Sequence, residues 1–581
     1  PAHASALKAY SVGHAHLDLA WLWPIRESKR KGGRTFANAL RLLERYPDYI
    51  FGASQAQLYL WIKEDYPTLY EEVQAAVKEG RWEIQGASWV EFDTNLTCGE
   101  SIIRQFSYGQ RFFDEEFGII PNCLWLPDCF GFSGNLPQLM KGCKVDYFIT
   151  QKLSWNESNV FDKHLFIWQG IDGSEVRAHQ LPTNDYNFSN NPSAFIATEG
   201  RFAQAELAES FLNLYGIGDG GGGPTRNHIE YGLRQKNLEG SPHFAFSKAA
   251  DFFEEYGQIP EDKLPKCYTE LYLEFHRGTY TTQAKMKKDN LQSERLLHAA
   301  EWIAVLRALA GGKLEYPAVL HPIWQDTLLL QFHDILPGSS ITPVYSDARE
   351  LSSKNHIALK SFIQESLIPE PGELAYSIFN PAPTAVQNWL SFPIACKDYA
   401  AILDHGEISH VIQEEQELKV LVGLEPYSKG SFSFYPQLAP MLLDKEEIIP
   451  EQDAYLLEGS NLKVKVSQNG SVLSIRSGGI EFLAEASNLI QLWEDEPNNW
   501  GAWDINHYYR ETTPQEASEA KVIEAFILGD YSRIVHELKI GKSTIKQTIE
   551  LLPGAKHLTI HHEVDWQEHH QMLRVAFSSN V

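Results

Sequence analysis

The first 270 residues alternate between short apolar runs and longer amphipathic segments, and this alternation restricts the fold more than any other feature. The pattern predicts strands and helices in turn: a strand at Ala6–Val12, a helix over Lys29–Arg45, a strand at Ile50–Ala53, a helix over Tyr66–Lys78 and a strand at Trp82–Gln85. Short strands separated by helices are typical of an α/β domain with a largely parallel sheet. We therefore predict such a domain over residues 1–270, with functional residues where strands end and loops begin.

The pattern changes near Gln283, where apolar residues take up helical spacing. One helix runs from there to a pair of glycines, a second follows Pro322, and a third is predicted over Pro343–Leu367. Three helices with short connections predict a helical bundle over residues 271–368.

The rest of the chain has a β pattern. A Pro- and Gly-containing stretch at 368–372 is typical of a linker. Beyond it, Leu462, Val464 and Val466 alternate with polar residues, and the pair at 469–470 (Asn-Gly) predicts a hairpin turn. We predict a β-sandwich-type region over residues 369–581 and expect it to continue past the last residue.

The charge balance excludes some partners. The chain of 581 residues has a formal net charge of -26, which argues against nucleic acid and against an anionic membrane surface. Its six cysteines include no Cys-x-x-Cys pair, so we expect reduced thiols and no disulfide scaffold. The sequence shows neither a signal peptide nor an apolar run of membrane-spanning length. We expect a cytoplasmic protein, and a homo-oligomer stays open.

A motif near the start, GHAHLDLAW, places His14, His16 and Asp18 at alternate positions. Alternate residues of a strand face the same side, so we expect these three side chains to point together. Imidazole and carboxylate groups are ligands that suit zinc and its first-row neighbours. The competing interpretation is a hydrogen-bonded polar strand end, and the motif alone does not decide between the two.

Two later stretches offer further ligands. Asp128 follows an apolar strand in LPDCFGFS, and the pair His333 and Asp334 ends an apolar helix in FHDILPGSS. Each has an ordinary structural explanation, since a lone aspartate caps helices and turns and a histidine caps a helix end. Neither stretch predicts a metal site alone; they do so only in combination with the first motif.

Six motifs in this order carry a family resemblance: GHAHLDLAW, LPDCFGFS, TQKLSWN, GDGGGGPT, ELYLEFHRGTYTTQAKMK and FHDILPGSS. Together they resemble the α-mannosidases of glycoside hydrolase family 38, in the branch that includes cytosolic and vacuolar enzymes. The later stretch WEDEPNNWGAWDI resembles the same branch. The resemblance implies a multidomain protein with a distorted, barrel-like α/β catalytic domain, a three-helix bundle that contributes to the active site, and β-sandwich-type domains.

The resemblance also implies one divalent metal ion, zinc by ligand type, with cobalt or manganese as alternatives. The implied ligands are His16, Asp18, Asp128 and His333. His14 is then not a ligand and takes a supporting role. The implied substrates are mannose-containing oligosaccharides.

The implied reaction is retaining hydrolysis of terminal α-linked mannose, which needs two carboxyl groups about 5–5.5 Å apart. Asp128 matches the nucleophile. The acid/base matches Asp219, although one aspartate of the family's Gly-Asp-Asp loop is replaced by glycine in this sequence. Asp185 is the second candidate for the acid/base role. The implied substrate-binding residues are Trp21, Lys152, Asp185, His276, Tyr280 and Asp334.

Two other function classes compete with this interpretation. His-x-His after a first strand also begins metal-dependent amidohydrolases and deacetylases, in which both histidines bind a metal that activates water. That class needs more histidines at later strand ends. The other competitor is a noncatalytic carbohydrate-binding protein on the same fold, and Asp128 argues against it because binding alone needs no nucleophile.

Overall fold

The structure is a computed structural model that describes Ser5, residues 7–309, Gly311 and residues 316–366, 375–393, 399–403, 411–414, 417–436, 445–501 and 503–580. It divides into two compact units. The first consists of Pro1–Ser366 together with Ala502–Asp504, and the second consists of Leu367–Gly501 and Ile505–Val581.

The first unit begins with an α/β region in which strands and helices alternate. Its strands are β1 (Lys8–His14), β2 (Phe51–Ala53), β3 (Trp82–Ile84), β4 (Cys123–Trp125), β5 (Tyr147–Thr150), β6 (Leu165–Gln169), β7 (Glu175–Gln180), β8 (Ser210–Tyr215), β9 (His243–Phe246) and β10 (Lys266–Tyr268). Its helices are α1 (Ile25–Arg45), α2 (Ala56–Asp65), α3 (Pro67–Lys78), α4 (Gly99–Phe117), α5 (Leu136–Gly142), α6 (Pro192–Arg201), α7 (Arg226–Gln235) and α8 (Ala249–Gly257).

These strands form two sheets. The first has the order β3-β2-β1-β8, with β9 also paired to β1, and every pair in it is parallel. The second has the order β10-β6-β7-β5-β4, and its one antiparallel pair is β6 with β7. The predicted α/β class with a largely parallel sheet is confirmed. Carboxyl ends of parallel strands meet at one edge, which is where ligands bind in such folds.

Strand β1 lies in the interior of the first sheet. It pairs with β8 on one side and with β9 and β2 on the other, and six of its seven residues are buried. A strand buried on both faces needs no alternation of apolar and polar residues. This explains the continuous run of buried residues that leads into the motif GHAHLDLAW.

The sequence analysis named two of the eight helices in this region, α1 and α3, and missed the other six; α2 shows why. Residues 56–65 form α2, which packs against α1 and α3, whereas we predicted a single helix over Tyr66–Lys78. Six of the ten residues of α2 are buried, including Tyr59 and Trp61. A helix buried on most of its surface has little amphipathic periodicity, so the spacing rule did not find it.

Three helices complete the first unit: α9 (Ala284–Leu309), α10 (Leu320–Leu330) and α11 (Thr342–Ser366). They pack on one another, which confirms the predicted helical bundle. One boundary was wrong, because α10 begins before Pro322 and not after it. A proline in the first helical turn costs little, since its missing N–H would have no partner inside the helix.

The second unit is built from β-strands. They are β11 (Ala375–Asn380), β12 (Val386–Pro393), β13 (Tyr399–Leu403), β14 (Val411–Glu414), β15 (Glu417–Leu424), β16 (Ser428–Pro436), β17 (Glu446–Glu447), β18 (Ala454–Glu458), β19 (Lys463–Ser467), β20 (Val472–Ser477), β21 (Ile480–Glu481), β22 (Leu489–Glu494), β23 (Gln515–Glu516), β24 (Glu519–Leu528), β25 (Tyr531–Ile540), β26 (Ser543–Leu551), β27 (Thr559–Asp565) and β28 (Gln571–Ala576). Every pair among them is antiparallel.

The predicted hairpin at 469–470 is confirmed. It joins β19 to β20, and Gly470 has a φ of 83°, which a glycine adopts without steric cost. The predicted linker at 368–372 lies outside the described residues, as does Cys396. The three domain boundaries remain predictions. Within the part of the chain that the structure describes, no helix is both long enough and apolar enough to cross a membrane.

Gly109 in α4 generates a stability prediction. A Cβ at this position would lie 2.4 Å from the carbonyl carbon of Ser88 and 2.6 Å from the carbonyl oxygen of Ala87, so the backbone would have to move. We expect Gly109→Ala to lower the free energy of unfolding by roughly 1–3 kcal/mol, as overpacking does, measured by urea denaturation.

Gly99→Ala is the matched control, because Gly99 lies in the same helix and a Cβ there meets no atom within 4 Å. Equal stability of the two variants would contradict the predicted clash.

Candidate active site

The candidate site lies at the carboxyl edge of the two sheets. His16 and Asp18 follow the end of β1, and Asp128 follows β4 after Leu126 and Pro127. Lys152 begins a short 3-10 turn directly after β5, the parallel neighbour of β4. Parallel strands therefore deliver these side chains to the same edge.

Backbone pairing brings His333 to this edge from the helical region. The N–H of Asp93 donates to the carbonyl of Gln331 at 2.9 Å, and the N–H of His333 donates to the carbonyl of Glu91 at 3.2 Å. Phe92 and Phe332 form the antiparallel bridge between these two segments. The segment after α10 thus runs beside the segment after β3.

Four of the predicted side chains converge on a small volume. The Nε2 atom of His16 lies 3.1 Å from Oδ1 of Asp18, and Nε2 of His333 lies 3.6 Å from the same oxygen. The Nε2 atom of His333 also lies 4.0 Å from Oδ2 of Asp128. Ligand atoms around a tetrahedral zinc ion at roughly 2.1 Å are about 3.4 Å from one another. The observed spacings are close to this value.

The state of these atoms also fits a cation. The Nε2 atoms of both histidines and Oδ1 of Asp18 are buried and have no hydrogen-bond partner among the described residues. Buried polar atoms are normally satisfied, so three that face one another need an explanation. Two imidazoles and two carboxylates are a donor set that first-row divalent metals accept. The residues present therefore fit the metal centre that the sequence motifs implied.

The structure separates His14 from this cluster. Strand β1 ends at His14, so the alternation that we expected to carry all three side chains to one side does not extend to His16 and Asp18. The Nδ1 atom of His14 lies 3.1 Å from the carbonyl oxygen of Gly52, and its ring packs 5.4 Å from that of Trp125. His14 is absent from the metal-capable groups found among the described residues. The strand geometry behind that expectation therefore ends at His14, and the common direction of the three side chains stays a prediction.

Asp128 lies in a cationic environment. The Nζ atom of Lys152 donates to Oδ1 of Asp128 at 2.7 Å. Burial acts to raise the pKa of Asp128, but Lys152, His16 and His333 outweigh burial and lower it. The carboxyl group is therefore held in its charged form, which a nucleophile requires.

Asp219 lies on the glycine-rich loop after β8, and that loop packs closely on the segment after β1. The N–H of Asp18 donates to the carbonyl of Asp219 at 2.9 Å, and Leu17 forms a bridge with Gly220. A Cβ at Gly221 would lie 2.8 Å from Cδ1 of Leu17. The glycines thus allow a close approach of chain segments. These contacts hold the loop against the segment after β1.

The carboxyl group of Asp219 has the opposite tendency to that of Asp128. Burial is the main cause that raises its pKa, and the charges of Asp18 and Asp128 act in the same direction. The hydroxyl of Tyr186 donates to Oδ1 of Asp219 at 2.9 Å. A pair of carboxyl groups whose environments shift their pKa values in opposite directions is typical of an acid/base and nucleophile pair.

Asp334 adds a further buried carboxyl group. Its Oδ2 atom lies 3.5 Å from Nε2 of His333, and its Oδ1 accepts a hydrogen bond from the hydroxyl of Ser339. Burial, followed by the neighbouring charge of Asp18, raises its pKa to about 7.

Two predicted substrate-binding residues, Trp21 and His276, both pack against the ring of Trp503. The ring of Trp21 packs 6.3 Å from that of Trp503, and the ring of His276 packs 6.1 Å from Trp503 and 4.9 Å from Phe130. Burial, followed by the charge of Lys152, lowers the pKa of His276 to about 3, so the imidazole is neutral.

Tyr280 and Asp185 are less closely tied to the cluster. Tyr280 is 37% exposed at the end of a 3-10 turn. The Oδ1 atom of Asp185 accepts the N–H of Asn187 at 2.6 Å, which is a turn-forming contact. Both substrate-binding roles remain predictions.

Sequence reasoning missed three residues at this site: Glu91, Tyr186 and Trp503. Glu91 lies in the apolar run WVEF, where a buried charge is itself a signal. The ring of Tyr186 packs against that of His16, with ring centres 4.7 Å apart and tilted planes. Trp503 belongs to the stretch WEDEPNNWGAWDI, which carries the family resemblance but contains no predicted site residue.

Family models match three successive parts of the chain. The glycosyl hydrolases family 38 N-terminal domain matches residues 6–268, the alpha mannosidase middle domain matches residues 274–368, and the family 38 C-terminal domain matches residues 457–581. The chain belongs to glycosyl hydrolase family 38. The family prediction is confirmed, and the amidohydrolase alternative loses its support.

Curated relatives are similar along nearly the whole chain. Human alpha-mannosidase 2C1 is 33% identical over 98% of this chain and 54% of its own length. Alpha-mannosidase G of Dictyostelium discoideum is 33% identical over 98% of this chain and 56% of its own length. The chain spans about half the length of these relatives.

A crystal structure of an alpha-mannosidase from Enterococcus faecalis has the same fold. The TM-score is 0.78 at 18% identity, and the match covers 98% of this chain and 75% of that one. This comparison confirms the predicted succession of an α/β region, a helical region and a β-rich region.

The different positions of His14 and His16 generate a prediction about metal content. We expect His16→Asn to lose nearly all bound metal, because its Nε2 atom faces the cluster, whereas His14→Asn weakens binding much less. Elemental analysis after dialysis measures this difference. Equal loss in both variants would contradict the assignment of His14 to a supporting role.

Proposed function

We propose that this chain contains the active site of a metal-dependent retaining exo-α-mannosidase. One observation carries the proposal: two carboxyl groups with oppositely shifted pKa values, Asp128 and Asp219, adjoin a buried cluster of metal-capable side chains. Family membership and the names of the relatives support the sugar class. The proposed substrates are oligosaccharides with terminal α-linked mannose.

Asp128 is the proposed nucleophile. Its carboxylate attacks the anomeric carbon, and the bond to the leaving oxygen breaks as a covalent glycosyl-enzyme forms. The hydrogen bond from Lys152 orients one carboxylate oxygen and keeps the group charged until it attacks. Water then cleaves the ester, so the configuration at the anomeric carbon is retained.

Asp219 is the proposed acid/base. Its raised pKa keeps a proton available for the leaving oxygen in the first step, and the resulting carboxylate accepts a proton from water in the second. The Tyr186 hydroxyl stabilises the charged form, which is the form needed between the two steps.

His16, Asp18, Asp128 and His333 would hold a divalent metal ion, zinc by donor type. When bound, such an ion supplies a Lewis-acid contact for sugar hydroxyls. Asp334, Trp21 and His276 are proposed to contact the sugar, the first by hydrogen bonds and the rings by stacking.

A cytoplasmic location belongs to the same proposal. It is supported by the absence of disulfides among the described cysteines, namely Cys98, Cys123, Cys129, Cys143 and Cys267. A homo-oligomeric state is left open.

The nucleophile assignment predicts a large loss of activity. We expect Asp128→Asn to reduce kcat/KM for p-nitrophenyl α-mannoside by at least about a thousandfold, because the amide cannot attack the anomeric carbon. Release of p-nitrophenol measures the rate, and NMR of the first sugar product reports its anomeric configuration.

Asp172→Asn is the matched control, since Asp172 is a fully exposed aspartate in the turn between β6 and β7. Full activity of Asp128→Asn would overturn the mechanism, because another group would then have to act as the nucleophile; an inactive unchanged protein would favour a noncatalytic role.

The acid/base assignment predicts a pH shift. The hydrogen bond from Tyr186 favours the charged form of Asp219 and so lowers its pKa; Tyr186→Phe removes that hydrogen bond and keeps the ring. We expect the basic limb of the kcat/KM profile, which reports loss of the acid's proton, to move to higher pH. An unchanged limb, or one moved to lower pH, would count against Asp219.

A further inference from the structure

Glu91 is the buried residue of the site that the proposed chemistry does not use. Its Oε2 atom lies 2.8 Å from Nδ1 of His16, in an ion-pair contact. Its Oε1 atom accepts a hydrogen bond from the hydroxyl of Ser54 at 2.7 Å. Both side chains of the ion pair are inaccessible to solvent, with at most 1% of their surface exposed.

The main chain of the same residue contacts the second histidine. The carbonyl oxygen of Glu91 lies 2.8 Å from Nδ1 of His333 and accepts the N–H of His333 at 3.2 Å. A carbonyl oxygen only accepts, so Nδ1 of His333 carries the proton and its Nε2 atom presents a lone pair. The carboxylate of Glu91 selects the same tautomer of His16.

Both lone pairs face the cluster at Asp18. The two imidazole rings lie 5.4 Å apart with an angle of 27° between their planes, and the Nε2 atoms of both approach Oδ1 of Asp18. Glu91 therefore contacts the Nδ1 atom of each ring, on the side away from the cluster. Its side chain contacts His16, and its main-chain carbonyl contacts His333.

We propose that Glu91 is a positioning residue that sets how tightly this centre retains a divalent cation, by fixing the tautomer and orientation of both histidines. The inference rests on the proposed metal centre and deepens it. Partners behind a metal-binding histidine raise its basicity and restrict its rotation, and their loss generally costs 10–100-fold in metal affinity.

The side-chain contact with His16 and the main-chain contact with His333 respond differently to substitution. Glu91→Ala removes the contact with His16 and leaves the main-chain contact with His333 in place. Glu91→Gln keeps an oxygen for His16 and an amide for the Ser54 hydroxyl, which can also accept, but it loses the charge. Ser54→Ala frees the carboxylate to rotate and leaves its charge intact.

The test measures how fast metal leaves the purified zinc-loaded protein when a coloured chelator is added in excess. We expect Glu91→Ala to release zinc about 10–100-fold faster than the unchanged protein, with Glu91→Gln and Ser54→Ala between the two. In the cobalt-loaded protein, Glu91→Ala should also change the visible absorption bands, because one imidazole is no longer held in place.

Glu83→Gln is the control. Glu83 is a half-buried carboxylate that accepts the N–H groups of Ala249 and Ala250 at the start of α8. We expect zinc release at the unchanged rate in this variant. Faster release here would show that loss of a carboxylate elsewhere in the fold has the same effect, and would overturn a specific role for Glu91.

The outcomes separate the two proposals. If the unchanged protein retains no zinc, the proposed metal centre fails. If it retains zinc and Glu91→Ala releases it at the same rate, only the role of Glu91 fails. If Glu91→Ala does not fold, Glu91→Gln decides: faster release supports the role, and an unchanged rate overturns it.

Discussion

The central constraint on this structure is the placement of several carboxyl groups together, away from water. Asp18, Glu91 and Asp334 are buried, and Asp128 is mostly so. Like charges in a medium of low polarity are costly unless cations or protons compensate them. Lys152 supplies one positive charge. The carboxylates beside His16 and His333 favour a bound cation there. The same constraint explains why the pKa values of Asp128 and Asp219 move apart. At Asp128 the charges of Lys152 and the two histidines outweigh burial, whereas at Asp219 burial, with the negative charges of Asp18 and Asp128, outweighs the charge of His16.

Main-chain contacts assemble the site from distant parts of the chain. The segment at residues 91–93 pairs with residues 331–333, and the N–H of Asp18 binds the carbonyl of Asp219. Hydrogen bonds of this kind do not depend on side-chain rotamers, so the main chain itself sets the relative positions of these segments. The glycines after Asp219 belong to this scheme, since a side chain at Gly221 would separate its loop from Leu17.

The sequence predicted the fold class and the order of its regions because periodicity and turn residues are local signals. It predicted the cluster of His16, Asp18, Asp128 and His333 only through family resemblance, because nothing local brings residue 333 to residue 16. The alternation rule does not reach His16 and Asp18, since β1 ends at His14. Glu91 escaped notice because its role depends on two histidines that come from other segments. Helix α2 was missed because it is buried on most sides.

The chain passes from the second compact unit into the first and back within residues 501–505. The N–H of Arg277 donates to Asp504, and the lack of a side chain at Gly278 leaves room for the backbone of Trp503. Ser366 is therefore not a clean cutting point between a catalytic module and an accessory one. A recombinant fragment that ends there would lack Trp503, whose ring packs against Trp21 and His276. An exchange of the β region for that of a relative would replace Trp503 as well.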